Sequence, residues 1–277
     1  MTDDVTVDRG RCLALQSLFG GTDAPLEDGA PLPLLWHWVA LARWSSSALG
    51  PDGHPVRGPE FPPTLHPRRM FAGGEVHLAA TVTVGERVTV ESQYSNWVSK
   101  TGRAGPFDLV ERRVRVYRQD GRLAIDERQD LVFRPAAEVD ARIQLPEPAE
   151  LLGEPPLVRC SPGSWSWRTD PAVLMRFSAA TANAHRIHYD LAYVTQVEGY
   201  PGLVVHGPLM TLALAEALRR EAPLGEPATR LCHRSVAPLF CGQPAAVSTA
   251  ATGAGHVVAQ LRRGGDLCSR LEVESVA

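Results

Sequence analysis

Apolar and polar residues alternate along this chain in two blocks, and each block is led by a helical stretch. In the first, Trp36, Val39, Ala40 and Arg43–Trp44 fall near helical spacing, which predicts a helix around residues 34–47. A Gly/Pro-rich loop over 48–67 follows. Strands are then expected over 76–84 and 87–98, where β-branched residues alternate, and over 107–117 and 122–133, separated by the turn Gln119-Asp120-Gly121.

The second block repeats the order. A short strand is expected over 164–169, then a helix over 171–181 with Asp170 as its N-cap and Pro171 at its first position. Residues 208–220 form the strongest helical pattern. Leu209, Leu212, Ala213, Ala217 and Leu218 are apolar, and Arg219 and Arg220 sit at the end where the helix dipole favours cations. Strands near 229–236, 244–251, 256–263 and 267–276 complete the block, the last two joined by Arg263-Gly264-Gly265-Asp266.

Between the blocks, residues 135–158 carry five prolines and little periodicity, and read as a linker. The expected organisation is a first half over 1–134, the linker, and a second half over 159–277. Short turns between strands imply antiparallel pairing. An α+β fold follows, with a sheet wrapped round a central helix and made twice. Strands and helices do not alternate, no GxGxxG follows a strand, and no P-loop is present, which argues against a doubly wound nucleotide-binding fold.

Composition narrows the picture. The 277 residues are 44% apolar, enough for a sizeable core, and 28 basic against 31 acidic residues leave a net charge of −3. That balance excludes an overall electrostatic design for nucleic acid. No stretch reaches the roughly 18 uninterrupted apolar residues that read as a membrane span. The opening MTDDVTVDRGRC is acidic and does not read as a secretory signal. Five scattered cysteines without a CxxC read as reduced thiols, and neither a disulfide frame nor a zinc site is expected. A cytoplasmic protein is the expectation.

Candidate chemistry concentrates in one stretch of the second half, Asn183-Ala184-His185-Arg186-Ile187-His188-Tyr189-Asp190, followed by Gly199-Tyr200-Pro201-Gly202-Leu203-Val204-Val205-His206-Gly207-Pro208. His188 can act as general acid or base near neutral pH. Asn183 can orient a water or polarise a carbonyl. The Gly207 amide, at the first turn of the 208–220 helix, lacks an intrahelical acceptor and can hold a carbonyl oxygen as it gains negative charge. Asp190 reads more simply as a helix cap. His185 and His188 lie at a metal-ligand spacing, but no third ligand is evident nearby, so no metal is expected.

These residues resemble the hydratase motif of the MaoC-like enoyl-thioester hydratases. The segment from Asn183 to Asp190, with Glu198-Gly199-Tyr200-Pro201-Gly202-Leu203-Val204-Val205-His206-Gly207-Pro208-Leu209, is most similar to the branch containing mesaconyl-C4-CoA hydratase, itaconyl-CoA hydratase and type 2 hydroxyacyl-thioester dehydratases. Trp36-His37-Trp38, Leu49-Gly50-Pro51-Asp52-Gly53-His54-Pro55, Pro67-Arg68-Arg69-Met70-Phe71-Ala72-Gly73-Gly74, the segment from Lys100 to Pro106 and that from Glu127 to Arg134 are similar to the same branch. The resemblance implies a double hot dog fold, with catalysis in the second half and the degenerate first half shaping the acyl pocket.

It also implies a hydro-lyase acting on a short branched dicarboxylic enoyl-CoA, with His188 and Asn183 catalytic and Gly207 holding the thioester oxygen. His185, Arg186, Tyr189, Arg68 and Arg69 become candidate substrate contacts. CoA enters as part of the substrate, no separate cofactor is expected, and a homodimer is. One departure stands out. The wider hydratase family has Asp where this chain has Asn183, and Asn where it has His185; Asn cannot take a proton, so the usual Asp/His pair cannot operate unchanged. A general 3-hydroxyacyl-thioester dehydratase, a thioesterase and a non-catalytic acyl-thioester binder remain alternatives.

Overall fold

The computed structural model describes residues 2–20, 24–64, 66–102, 105–136, 150–221 and 229–275. The first half contributes β1 (Thr2–Thr6), α1 (Arg9–Phe19), the single turn α2 (His37–Ala40), β2 (Arg68–Leu78), β3 (Arg87–Gly102), β4 (Gly105–Arg118) and β5 (Leu123–Arg134). The second contributes β6 (Leu157–Ser161), β7 (Ser164–Trp167), α3 (Pro171–Ala180), α4 (Leu191–Gln196), α5 (Gly207–Glu221), β8 (Thr229–Ser235), β9 (Ala245–Gly253), β10 (His256–Arg263) and β11 (Asp266–Ser275). A 3₁₀ turn over Arg186–His188 sits between α3 and α4.

All strand pairs are antiparallel, and the strands form one sheet in the order β1-β3-β4-β5-β2-β8-β11-β10-β9-β7-β6. Each half builds a sheet, as the pattern predicts. The two meet edge to edge where β2 pairs β8, with Gly73 opposite Arg234 and Leu78 opposite Thr229. Joining the halves there removes two open edges, whose unpaired backbone groups would otherwise need cover. α5 lies against the second half of this sheet. Leu209, Leu212, Ala213, Leu214 and Ala217 are wholly buried in the core that it shares with α1, α3 and the inner faces of the strands. None of the described helices is long and apolar enough to cross a membrane.

Several elements differ from expectation. The helix expected over 34–47 shrinks to α2, because Leu35 is left-handed (φ 65°) and the Ala40 carbonyl accepts from the Asp8 amide at 3.1 Å instead of continuing a helix. α1 was legible but was not expected. Asp8 caps it through a bond from the Arg11 amide at 2.9 Å, and Cys12, Leu15, Leu18 and Phe19 repeat at helical spacing on its buried face. The strand expected over 76–84 runs instead over Arg68–Leu78. That shift places Arg68 and Arg69 on a central strand, not in the loop before one. Leu157 and Val158, read as linker, already belong to β6, and residues 137–149 of the linker lie outside the described residues.

Candidate active site

α3 ends where Ala182 turns left-handed (φ 51°), and the Asn183 amide bonds back to the Ser178 carbonyl at 2.9 Å. The chain leaves the helix here and enters the histidine loop. The Asn183 side-chain oxygen accepts from the His185 amide at 3.0 Å, so its oxygen shapes the loop while its NH₂ is left for the cleft that it lines. Asp190 caps α4 by accepting from the Tyr193 amide at 3.0 Å, which is the simpler role expected of it.

His188 is 6% exposed, and its Nδ1–H donates to the Val204 carbonyl at 2.7 Å. A carbonyl only accepts, so this bond puts the proton on Nδ1 and leaves the Nε2 lone pair free. Burial pushes the His188 pKa down to about 3, with the Val204 bond opposing the shift and the nearby His54 adding to it. The ring stacks on His206 at 3.5 Å between centroids and meets the His185 ring edge-on at 5.5 Å. His206 shares a 2.9 Å hydrogen bond with Ser178, and burial holds it neutral. His185 is also held neutral by burial, and its Nε2 is buried without a hydrogen-bond partner among the described residues.

Gly207 opens α5 at the wall of the same cleft. A Cβ there would lie 3.1 Å from Phe71 Cδ1 and 3.2 Å from Ser235 Oγ, so only glycine leaves the helix start open to an incoming carbonyl. The Ser235 hydroxyl is buried without a partner among the described residues. It forms a second donor beside this helix start, and sequence pattern alone had no means of placing it there.

The cleft has a volume of about 1710 Å³ and is lined from both halves. Its first-half wall includes the loop Gly50–His54, which docks on the histidine loop. The Asp52 carbonyl accepts from the Arg186 amide at 2.9 Å, and Gly53 (φ 88°) fits so closely that a Cβ would lie 1.8 Å from the Ala184 carbonyl oxygen. This docking delivers His54 to the site, with ring centroids 4.2 Å from His185. His54 Nδ1 and Asp52 Oδ2 are 3.0 Å apart, and the His54 amide also donates to Asp52 Oδ1 at 3.0 Å. Asp52, His54 and His185 bring side-chain N or O atoms within 4.8 Å of one another. The Asp52–His54 bond makes this a carboxylate-backed imidazole beside a bare one. Asp52 and His54 fall within the Leu49–Pro55 segment that is similar to the hydratase branch, but neither stands out there as a site residue, because they are distant in sequence from the histidine loop.

The five candidate substrate contacts separate. His185 and Arg69 line the cleft. Arg68 also lines it, but its Nε donates to Glu198 at 2.7 Å and its guanidinium lies over the Tyr200 ring at 5.0 Å. Arg186 is turned away from the cleft, since Nε and Nη2 donate to Asp190 at 3.0 and 2.8 Å, and Nη1 donates to the Pro51 carbonyl. Tyr189 is exposed, and its hydroxyl donates to the Ala184 carbonyl at 3.0 Å. Arg186 and Tyr189 therefore brace the histidine loop, and neither lines the cleft. Arg69 makes no hydrogen bond or ion pair among the described residues, and burial lowers its pKa, with Asp52 and Tyr94 opposing. A guanidinium stays charged at neutral pH even so.

The sequence profile of the hydroxyacyl-thioester dehydratase type 2 family matches residues 35–241. The chain belongs to this family. Its class of chemistry is the hydration and dehydration of acyl-CoA thioesters. Over 218 residues, 78% of this chain and 74% of the other, it is 43% identical to the mesaconyl-C4-CoA hydratase of Chloroflexus aurantiacus. A mitochondrial hydroxyacyl-thioester dehydratase type 2 of Schizosaccharomyces pombe is 35% identical over 91 residues, 32% of this chain and 30% of the other. Among solved structures, a MaoC-like dehydratase from Phytophthora capsici superposes with a TM-score of 0.71 at 15% identity, covering 100% of this chain and 94% of the other. A double hot dog protein of Mycobacterium tuberculosis gives 0.52 at 14%, covering 99% and 95%. The fold is therefore the double hot dog.

Proposed function

We propose that the protein adds water reversibly to the C=C bond of a short branched dicarboxylic enoyl-CoA, itaconyl-CoA or mesaconyl-C4-CoA, giving citramalyl-CoA. The thioester oxygen rests at the start of α5, against the Gly207 amide, with the Ser235 hydroxyl beside it. His188 Nε2 accepts the hydrogen bond of the attacking water and draws its proton, and the Asn183 NH₂ helps to fix that water. In mesaconyl-C4-CoA, whose C=C joins the α- and β-carbons, that electron pair moves towards the thioester oxygen as the water oxygen bonds the β-carbon; in itaconyl-CoA the C=C joins the β- and γ-carbons, so this route needs the double bond to shift first. The positive end of α5 stabilises the enolate, and the α-carbon then takes up one proton.

The observation that carries the substrate class is the contrast among the three candidate arginines. Arg68 and Arg186 are spent on Glu198 and Asp190, while Arg69 keeps its donors in the cleft. A desolvated cation without a hydrogen-bonded partner is costly, and a substrate carboxylate would relieve that cost with a two-pronged bond. The similarity to the Chloroflexus hydratase supports the same substrate class. A homodimer and a cytoplasmic location belong to the same reading, and light scattering of the purified protein tests the former.

The functional test is incubation with itaconyl-CoA, mesaconyl-C4-CoA and crotonyl-CoA, with products followed by mass. Gain of one water on the dicarboxylic thioesters is the expected result. Turnover of crotonyl-CoA alone would keep the hydratase and discard the role of Arg69 as a carboxylate receptor, in favour of a general 3-hydroxyacyl-thioester dehydratase. Release of free CoA without hydration would make the protein a thioesterase, and no turnover at all would leave an acyl-thioester binder.

A further inference from the structure

The proton drawn from the water has no evident place to rest in the histidine loop. His188 Nδ1 meets only a neutral carbonyl, and His185 and His206 have no carboxylate partner among the described residues. Asn183 cannot take it. A carboxylate nevertheless reaches the site from the other half of the molecule. The loop Gly50–His54 is fixed by the Asp52–Arg186 backbone bond and by the contact of Gly53 with Ala184, and its only imidazole is presented to His185 with Asp52 behind it.

We propose that His54, backed by Asp52, is a second acid–base residue of this site and supplies the carboxylate-backed imidazole that the histidine loop lacks. The inference rests on the hydratase reading. With Asp52 ionised, His54 Nδ1–H donates to Oδ2 and leaves Nε2 as an acceptor facing the cleft. The step balances as follows. One O–H bond of the water breaks and its oxygen bonds the β-carbon. The proton drawn by His188 moves on to His54 Nε2 through the ring cluster in which His185 contacts both histidines, while the C=C electron pair of mesaconyl-C4-CoA moves to the thioester oxygen. When that pair returns to the α-carbon, His54 gives up the proton there and is neutral again. Asp52 keeps its charge throughout and stabilises the transient imidazolium, so it is a positioning residue and His54 is the catalytic one.

The charged and titratable groups facing His54 are Asp52 and Arg57 on its own segment, Arg69 from β2, and His185 and His188 from the histidine loop. Burial lowers the His54 pKa and the bond to Asp52 opposes that shift, so the resting imidazole is neutral and ready to accept a proton.

The test compares wild type, His54→Gln and Asp52→Asn on the thioesters above, in H₂O and D₂O, after thermal melts have shown each variant folded. His54→Gln is expected to lower kcat by about 10²–10⁴-fold, the range of one acid–base group, with KM changed little, and to slow deuterium entry at the α-carbon in step. Asp52→Asn is expected to lower kcat less. It should also move the acid-side fall of activity to lower pH, because a neutral amide no longer favours the imidazolium; a merely structural Asp52 would leave that limb in place. A folded His54→Gln variant with wild-type kcat overturns the inference alone. Loss of activity to EDTA with recovery on added Zn²⁺ also overturns it, by turning Asp52, His54 and His185 into metal ligands. A wild-type protein that hydrates none of the thioesters overturns the hydratase reading, and this role with it. If His54→Gln does not fold, His54→Asn and Asp52→Asn carry the same comparison.

Discussion

Two loops, one from each half, bring histidines to the same cleft and treat them differently. In the second-half loop, His185 packs against His188 and His188 against His206, with no carboxylate bonded to any of them among the described residues. In the first-half loop, His54 lies between its own carboxylate, Asp52, and His185. Burial alone makes an imidazole a neutral acceptor, good for holding a water. Burial with a carboxylate behind it makes one that can hold a proton. A third pair, His37 and Glu127, shows a buried acid and histidine whose carboxylate is fully hydrogen-bonded within the protein. Glu127, 1% exposed, accepts from Trp38 at 2.8 Å and from Gln129 at 2.7 Å, and shares a 3.0 Å bond with His37, so every oxygen is taken.

Replacing His188 by Gln should lower turnover by about 10²–10⁴-fold with the melting temperature retained, measured by hydration of the thioesters. Full activity in that variant would remove the second-half loop from the chemistry. Arg69→Gln should cost dicarboxylic substrates about 10–100-fold in kcat/KM, the worth of roughly 1.5–3 kcal/mol for a hydrogen bond to a charged group, and leave crotonyl-CoA almost untouched. Equal losses on both would mean that Arg69 only shapes the cleft.

Gly53→Ala tests the docking of the two loops. The added Cβ meets the Ala184 carbonyl at 1.8 Å and the backbone is left-handed, so a loss of about 1–3 kcal/mol in stability is expected by denaturant unfolding, together with loss of activity. An unchanged midpoint would show that the loops are not locked together.

A further effect is on acid stability, and it shows only below neutral pH. The unfolded histidines take protons below about 6.5. In the folded chain His233 resists until about 4 and His188 until about 3. The unfolded state therefore binds more protons in this window, and stability falls as pH drops from about 6.5 towards 3, by up to about 1.4 kcal/mol per pH unit for each such group. Above about 6.5 these groups contribute no slope. Denaturant midpoints across this window should show the fall, and His188→Gln should make it shallower.

Much of the architecture could be read from the chain. The 208–220 helix, the hairpins at Asp120-Gly121 and Gly264-Gly265, and Asp170 capping α3 are local: residue spacing and turn chemistry decide them. His188, Asn183 and Gly207 are legible because one short segment and one helix start carry them. Arg186 and Tyr189 sit outside the cleft lining for the opposite reason. Their residue types suit ligand binding, but Asp190 and the Ala184 carbonyl lie within reach on the same loop and take them.

What the sequence determined by itself was therefore the local part: two blocks of strands, each led by a helical stretch, and a histidine loop ahead of a glycine at a helix start. The tertiary structure alone decided which charges stay free and which meet. It paired Arg68 with Glu198 and Arg186 with Asp190, left Arg69 facing the cleft, and brought Asp52 and His54 more than a hundred residues along the chain to His185. The physical reason is that hydrogen-bond satisfaction and desolvation depend on neighbours in space. Periodicity along the chain carries no record of those neighbours once they come from different halves.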